Sequence, residues 1–354
     1  MNIDKLKIEN LRVFDKVTIN PSKSINIIYG SNGSGKTTLL ESIYILARSK
    51  SFRTNNTQSL IKRGKSELLL YANILDKDGI NRSIGIRKST EISEVRISGV
   101  LRNRVSDQIK ALPLGIITST IQKLLTEGPS HRRRFINWVM FHVEPDYPTL
   151  YYKYKRCLQQ RNIELRRRSR DIQIWDQQLS FYGEKLSNII SDYIRSVESD
   201  FIALVGESLS LKSFVIEYKQ GWSKEFELKY ALNRNYLSGL TYTNVGPHIG
   251  DLLFTINGRP VKDFLSSGQL KTLTILFVLY QISYIKNQIK SSPVLLIDDI
   301  CSELDFDNLN IVFNHLKRLD VQIFMTSIKN VNIDIGTVGK VFHVEHGSVN
   351  EASV

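Results

Sequence analysis

Gly30-Ser31-Asn32-Gly33-Ser34-Gly35-Lys36-Thr37 fits the pattern G-x-x-x-x-G-K-[ST]. An apolar, strand-like run, Ser24–Tyr29, leads into it. Behind it, Leu39, Leu40, Ile43, Tyr44, Leu46 and Ala47 have helical spacing over Thr37–Arg48. Strand, glycine loop and helix together are the setting a phosphate-binding loop requires. The glycines let backbone N–H groups converge on phosphate oxygens, and the helix N-terminus adds a favourable dipole. In that reading Gly30 through Thr38 surround the phosphates, Lys36 spans the β- and γ-phosphates, and the Thr37 hydroxyl ligates Mg²⁺. Taken alone, the eight residues also suit a glycine-rich structural turn.

Two downstream segments supply what such a loop needs. Pro293-Val294-Leu295-Leu296-Ile297-Asp298-Asp299 is an apolar strand ending in two carboxylates, the form of a Walker B strand. Asp298 at the strand end would hold Mg²⁺, and Asp299, one position on, would polarise the attacking water. Leu265-Ser266-Ser267-Gly268-Gln269 precedes a long helical pattern and is close to the LSGGQ signature of ABC-type ATPases. In that class the signature faces ATP held by a second copy. Ser266, Gly268 and Gln269 would then complete the site in trans. Ser-Ser-Gly before a helix is equally an ordinary capping arrangement.

The 354 residues carry 48 Lys and Arg against 35 Asp and Glu, a net charge of +13. Such an excess favours a polyanionic partner, nucleic acid or an acidic surface. Two cysteines, Cys157 and Cys301, argue against a disulfide framework and fit a reducing, cytoplasmic setting. The most apolar long stretch, Leu270–Ile285, is interrupted by Lys271, Thr272, Thr274, Gln281 and Ser283. It falls short of the ~20 predominantly apolar residues of a membrane span.

Alternation over residues 2–29 predicts strands, as do Leu68–Leu75, Ser83–Ile86 and Val95–Ile97, with a hairpin at Asp76-Lys77-Asp78-Gly79. From Ser119 to Tyr236 glycine is rare and helical periodicity dominates, with long helices over Tyr147–Arg170 and Ile172–Leu204. Leu252–Ile256 and Val294–Ile297 are expected strands, Gly268–Ile289 and Asp305–Arg318 helices, and Val321–Met325 and Val341–Val344 short strands. The expected architecture is an α/β head, a mixed, largely parallel sheet with flanking helices plus an antiparallel subdomain, interrupted by a helical lobe. Its divisions fall at 1–118, 119–240 and 241–354.

Further segments make the likeness specific. They are Arg48-Ser49-Lys50-Ser51-Phe52-Arg53-Thr54, Glu127–Phe135, Lys155–Asn162, Trp175–Leu179, Gly246-Pro247-His248-Ile249-Gly250-Asp251, Ser302-Glu303-Leu304-Asp305 and Val341–Gly347. With the P-loop, signature and Asp298-Asp299, they resemble the RecF family of ABC/SMC-like ATPases over nearly the full length. Cys301–Asp305 resembles the D-loop along the dimer seam, Thr326-Ser327 stands where other ABC proteins place a switch histidine, and Gln122 is the candidate glutamine-loop residue. Ile249-Gly250 depart from the family's usual Arg-Asp, and Leu270 follows Gln269 where Gln is common. The resemblance implies an ATP-driven homodimer with slow, DNA-stimulated hydrolysis. It also implies ATP-dependent binding to duplex DNA near single-strand gaps, cooperation with RecR and RecO in loading RecA, and a part in SOS induction. The ATPase subunit of a membrane transporter shares the motif order and is the alternative.

For DNA, the basic candidates are Arg132 and Arg133 within His131–Arg134, and Arg166 and Arg167 within Arg161–Arg170. A solvated helix face would account for them, equally so in the second stretch, and for His131–Arg134 the sharper alternative is arginines packed on carboxylates near a domain junction. Tyr151, Tyr152 and Tyr154 alternate with Lys153, Lys155 and Arg156, which suits either a nucleic-acid surface or lobe core.

Overall fold

A computed structural model describes residues 1–75, 79–102, 104–169, 172–289, 292–300, 304–328 and 338–352. Its contacts divide the chain into two compact units, Met1–Ile121 with Ile275–Val354, and Gln122–Thr274.

The first unit opens with β1 (Asn2–Leu11), β2 (Phe14–Ile19), β3 (Ile25–Tyr29) and α1 (Lys36–Arg48). It continues through β4 (Leu68–Leu75), β5 (Asn81–Lys88), β6 (Ser93–Ile97), β7 (Val100–Leu101), α2 (Val105–Ala111) and β8 (Leu114–Ile117). The second unit contains α3 (Lys123–Thr126), α4 (Pro129–Val143), α5 (Tyr147–Arg167), α6 (Ile172–Leu209), β9 (Phe214–Lys219), α7 (Leu228–Leu237), β10 (Asp251–Ile256) and β11 (Arg259–Pro260). Helix α8 (Ser267–Gln288) runs from the second unit into the first. The first unit is completed by β12 (Val294–Ile297), α9 (Phe306–Arg318), β13 (Ile323–Ser327), β14 (Val338–Glu345) and β15 (Ser348–Ala352).

One sheet of the first unit has the order β15-β14-β3-β13-β12-β8. All its neighbours pair in parallel except β14 with β15. Every residue of β12 and β13 is buried, as expected of strands covered on both faces. The other sheet, β2-β1-β4-β5-β6-β7, is antiparallel throughout. Its inward residues Leu6, Ile8, Leu70, Ala72, Ile84 and Ile86 join Leu39, Leu40, Ile43 and Leu46 of α1 and Ile28, Leu296, Phe324 and Phe342 in one apolar core. That shared core fixes α1, and with it the loop at its N-terminus, against the parallel strand ends. Gln322 locks the two sheets together: its Oε1 accepts from the Ile3 N–H at 2.7 Å, and its Nε2 donates to the Ile3 carbonyl at 2.9 Å.

The second unit is a helical hairpin, α5 and α6, with α4 and α7 and a three-stranded antiparallel sheet, β11-β10-β9. Gly183 allows the tight packing of α6. A Cβ there would lie 2.6 Å from Leu228 Cδ2 and 3.1 Å from Tyr154 Cε2.

Most expected elements are present within a few residues. The exceptions have physical causes. Leu252–Ile256 does not join the parallel sheet; as β10 it pairs with β9 in the second unit. Strand β9 sits inside the stretch expected to be wholly helical, because a six-residue alternation is faint beside the 38 residues of α6. The units consequently divide at 121/122 and 274/275, which puts the signature segment in the second unit rather than in the head. Helix α5 stops at Arg167 because Arg168 turns left-handed (φ 54°) and closes the helix. Asp76-Lys77-Asp78, Arg170 and Cys301-Ser302-Glu303 lie outside the described residues.

Candidate nucleotide site

The loop between β3 and α1 has the shape its glycines predict. Gly30 (φ 155°) leaves no room for a Cβ, which would run into the Val344 carbonyl of β14. Gly35 (φ 120°) lies under the β1–β2 turn, where an added Cβ would sit 3.0 Å from both Phe14 and Val13. That turn is itself anchored. Arg12 donates from Nε and Nη2 to Glu41 of α1, at 2.6 and 3.0 Å, and Glu41, fully buried, also accepts from the Ser51 hydroxyl. Gly35 caps α1 without any side-chain acceptor, so the first-turn N–H groups face the loop interior. Ser31, Asn32 and Gly33 are exposed at its mouth, whereas Ser34, Lys36 and Thr38 are buried.

Lys36 Nζ donates to the carbonyls of Gly30 at 2.7 Å and Ser31 at 2.9 Å. Burial lowers the lysine's pKa, and the negative fields of Asp299 and Asp298 partly restore it. Thr37 Oγ1 donates to Asp298 Oδ1 at 3.0 Å, and Thr326 Oγ1 donates to the same oxygen at 2.8 Å. The Asp298 N–H is tied to the Ile117 carbonyl of β8 at 2.9 Å. Asp299 has a left-handed backbone (φ 52°), and its N–H donates to Thr326 Oγ1 at 2.9 Å. The end of β12 thus delivers two successive carboxylates to α1 from the carboxyl edge of the sheet.

These residues fit a Mg²⁺-nucleoside triphosphate. Among the described residues Ser34 Oγ is buried without a hydrogen-bond partner, and the Lys36 hydrogen bonds go to neutral carbonyls. Both gain a charged acceptor if a phosphate enters the loop. Thr37 and Asp298 form the hydroxyl–carboxylate pair that a hard divalent cation takes. Among the described residues no group of three or more His, Cys, Asp or Glu could hold a metal by itself, so phosphate oxygens and water would fill the remaining positions.

The signature segment opens α8 as expected. Ser266 is the N-cap, with its Oγ accepting the Gln269 N–H at 3.2 Å, and Gln269 Oε1 accepts the Ser266 N–H at 3.1 Å. This reciprocal pair is a capping box. Ser266 and Ser267 are exposed, with Gly268 and Gln269 half-buried behind them. Leu270 is buried, which accounts for an apolar residue in a place where glutamine is common in the resembled family. Thr326 was named in the sequence only by its place at a strand end; its bonds to Asp298 and Asp299 put it inside the site. Arg12 and Glu41 carry no motif, and nothing short of the fold reveals them. Gln122 stands at the start of α3, its Oε1 buried and without a partner among the described residues.

Of the arginines expected at DNA, Arg132 is not available. It is buried and paired with Asp251 (Nε–Oδ1 2.7 Å, Nη2–Oδ2 3.0 Å), and its Nη1 donates to the Leu124 and Glu127 carbonyls. Arg133 is half-buried and donates to the Gly250 carbonyl at 2.8 Å. Arg161, in the second basic stretch, is fully buried. It holds Asp176 at 2.5 Å, Asn235 at 2.7 Å, Thr243 at 2.9 Å and the Leu232 carbonyl at 2.8 Å. Packing on a carboxylate, the alternative the sequence left open for His131–Arg134, holds for Arg132, whereas the burial of Arg161 was not expected. Arg166 and Arg167 are exposed, Arg167 beside Glu164 at 3.6 Å.

A parallel-stranded sheet carrying a P-loop and an Asp-Asp strand end, an antiparallel sheet on the same core, and a second unit bearing the signature define an ABC-type ATPase head. The chain belongs to the RecF/RecN/SMC N-terminal domain family, whose model matches residues 2–350, and within it to the RecF proteins. It is 35% identical over 359 residues to the DNA replication and repair protein RecF of Shewanella sediminis (strain HAW-EB3), with 99% of both chains covered. It is 35% identical over 358 residues to that of Shewanella pealeana (strain ATCC 700345 / ANG-SQ1), again over 99% of each. The fold is similar to a solved structure of the recombination mediator protein RecF with ATP in the RecFOR pathway. The TM-score is 0.88 and the identity 23%, covering 99% of this chain and 97% of that one. An Smc head bound to the C-winged helix domain of ScpA is similar at a TM-score of 0.63 and 17% identity, over 100% of this chain and 98% of that one. Among the described residues no helix is long and apolar enough to cross a membrane.

Proposed function

We propose that the chain is an ATP-gated, DNA-binding homodimer of recombinational repair and replication restart, acting in the cytoplasm. Each ATP·Mg²⁺ lies between the P-loop of one copy and the Ser266–Gln269 segment of the other. Lys36 and the loop N–H groups hold the phosphates, Thr37 and Asp298 hold Mg²⁺, and Asp299 polarises the attacking water. Because ATP gains its full contacts only in the closed pair, it shifts the population towards closure. Closure clamps duplex DNA near a single-strand gap, and slow, DNA-stimulated hydrolysis releases it. Through RecR and RecO the clamp promotes RecA loading, and so SOS induction.

The observation that carries this reading is the pairing of a buried lysine and an orphaned serine hydroxyl with the Thr37–Asp298 contact, in a chain 35% identical over its length to RecF proteins. A pull-down on gapped DNA with ATP against ADP tests it. Retention with ATP alone is expected; equal retention with both nucleotides, or none with either, overturns it in favour of a head that uses ATP for another purpose.

A further inference from the structure

The outward face of the antiparallel sheet holds a groove of about 360 Å³ that the nucleotide chemistry does not use. One cross-strand row runs through it: Lys7 of β1, Tyr71 of β4, Gly85 of β5 and Arg96 of β6. Lys7 Nζ lies 5.7 Å from the Tyr71 ring centroid, and the Tyr71 hydroxyl donates to Asn73 Oδ1 at 2.5 Å, which fixes the ring. Gly85 leaves a gap between Tyr71 and Arg96. Nothing in the sheet requires a glycine there. Its φ is not left-handed, and the pairing through it is unbroken, so it marks no bulge. An added Cβ would make only ordinary contacts, 3.8 Å from Tyr71 Cδ2 and 3.9 Å from the Leu70 carbonyl oxygen. A glycine inside a strand weakens it, and one that serves no bulge or bend marks the close approach of a ligand or another backbone. The neighbouring row is neutralised internally: Glu9 pairs with Lys16 at 3.4 Å and Arg87 with Glu67 at 2.8 Å. Lys7 and Arg96 are exposed, and among the described residues neither has a carboxylate within salt-bridge distance.

We propose that this groove binds an extended acidic segment of a partner protein, of the form acidic-x-aromatic-x-acidic. In an extended chain, residues i, i+2 and i+4 share one face. The outer two stand ~13 Å apart, which matches the roughly 14 Å of three strand spacings from Lys7 to Arg96. The ring fills the gap over Gly85 against Tyr71, and the two carboxylates meet Lys7 and Arg96. Glu9 and Glu94 line the same groove. They repel a nucleic-acid backbone, which is charged at every phosphate, but leave room for a peptide with two charges set at the groove's ends.

Fluorescence anisotropy of a labelled peptide carrying Asp-x-Phe-x-Asp, titrated with the full chain, tests the proposal, with blunt duplex and single-stranded DNA as competitors. Saturable binding is expected. Replacing both aspartates of the peptide by asparagine, or its phenylalanine by alanine, should weaken binding about tenfold or more. Gly85→Val fills the gap with a residue that suits a strand. It should weaken peptide binding about tenfold or more, the loss of one buried ring, while thermal melting stays at or above that of the parent. Gly85→Ala, whose Cβ fits at ordinary contact distance, guards against a folding defect in the valine variant and should weaken binding about threefold without melting lower. Arg96→Gln should cost about fivefold, the size of one exposed ion pair. The proposal is overturned if no saturable binding is seen, or if the Gly85 variants or the altered peptides bind like the parent pair. It is also overturned if either DNA displaces the peptide more effectively than unlabelled peptide does, which would make the groove a nucleic-acid surface.

Discussion

At Asp298 one carboxylate oxygen accepts hydroxyls from two different elements, Thr37 of α1 and Thr326 of β13. In the proposed site, Mg²⁺ would replace these two weak donors with a divalent charge at an oxygen already held in place. Asp299 is oriented separately, by a left-handed backbone and the Thr326 hydroxyl. The two neighbouring carboxylates are thus held differently, as the proposed split into a metal holder and a water activator would require. Asp299→Asn should retain ATP and slow hydrolysis about 100-fold or more, the range for losing a general base. The protein would then stay dimeric on DNA, which single-turnover kinetics beside light scattering would reveal. An unchanged turnover rate would take the activating role from Asp299. The pairing of Thr37 with Asp298 was legible in the sequence because both belong to local motifs. Thr326 was not, since a threonine at a strand end has no signature.

Within the elements of the second unit, the segments that mark the family resemblance bond to one another. Glu127–Phe135 meets Gly246–Asp251 through Arg132 and Arg133, and Lys155–Asn162 meets Trp175–Leu179 through Arg161 and Asp176. Tyr154 joins His248 at 2.6 Å. Gly250 sits where a Cβ would lie 2.8 Å from the Lys219 carbonyl, so the backbone approach here suits a glycine. Arg161→Ala strands a buried carboxylate and should cost about 3–5 kcal/mol in denaturant unfolding. Arg166→Ala, on the exposed end of α5, should stay within ~0.5 kcal/mol; equal losses for the two would contradict the burial. His248 has its pKa lowered, first by burial and then by Arg133, Lys155 and Arg161, against the opposing Thr243 hydrogen bond. The folded form thus binds a proton less readily than the unfolded chain. Its stability is full above the unfolded value of about 6.5 and falls as pH drops towards the folded value. Thermal melting from pH 7.5 to 5.5 should show that decline, and His248→Gln should flatten it.

For the molecule as a whole, the net charge of +13 would make the proposed affinity for duplex DNA a function of salt. From 50 to 200 mM salt it should fall roughly tenfold or more, measured by anisotropy on blunt duplex; a flat response would point to uncharged contacts. Lys36→Ala removes the only buried cation of the loop named by the motif, and should abolish ATP binding and ATP-driven dimerisation together. A dimer of that variant in light scattering with ATP would break the link between them.

The sequence by itself determined the P-loop, the Asp298-Asp299 strand end, the capped start of α8 and most strands of both large sheets. Each of these is written in neighbouring residues, as glycine spacing, apolar runs or a serine three places before a glutamine. Tertiary structure alone decided which arginines are spent inside the second unit, that β10 pairs with β9, and that Arg12, Glu41 and Thr326 brace the site. Those outcomes depend on partners tens to hundreds of residues away, and a side chain's charge does not say whether water or a carboxylate will meet it.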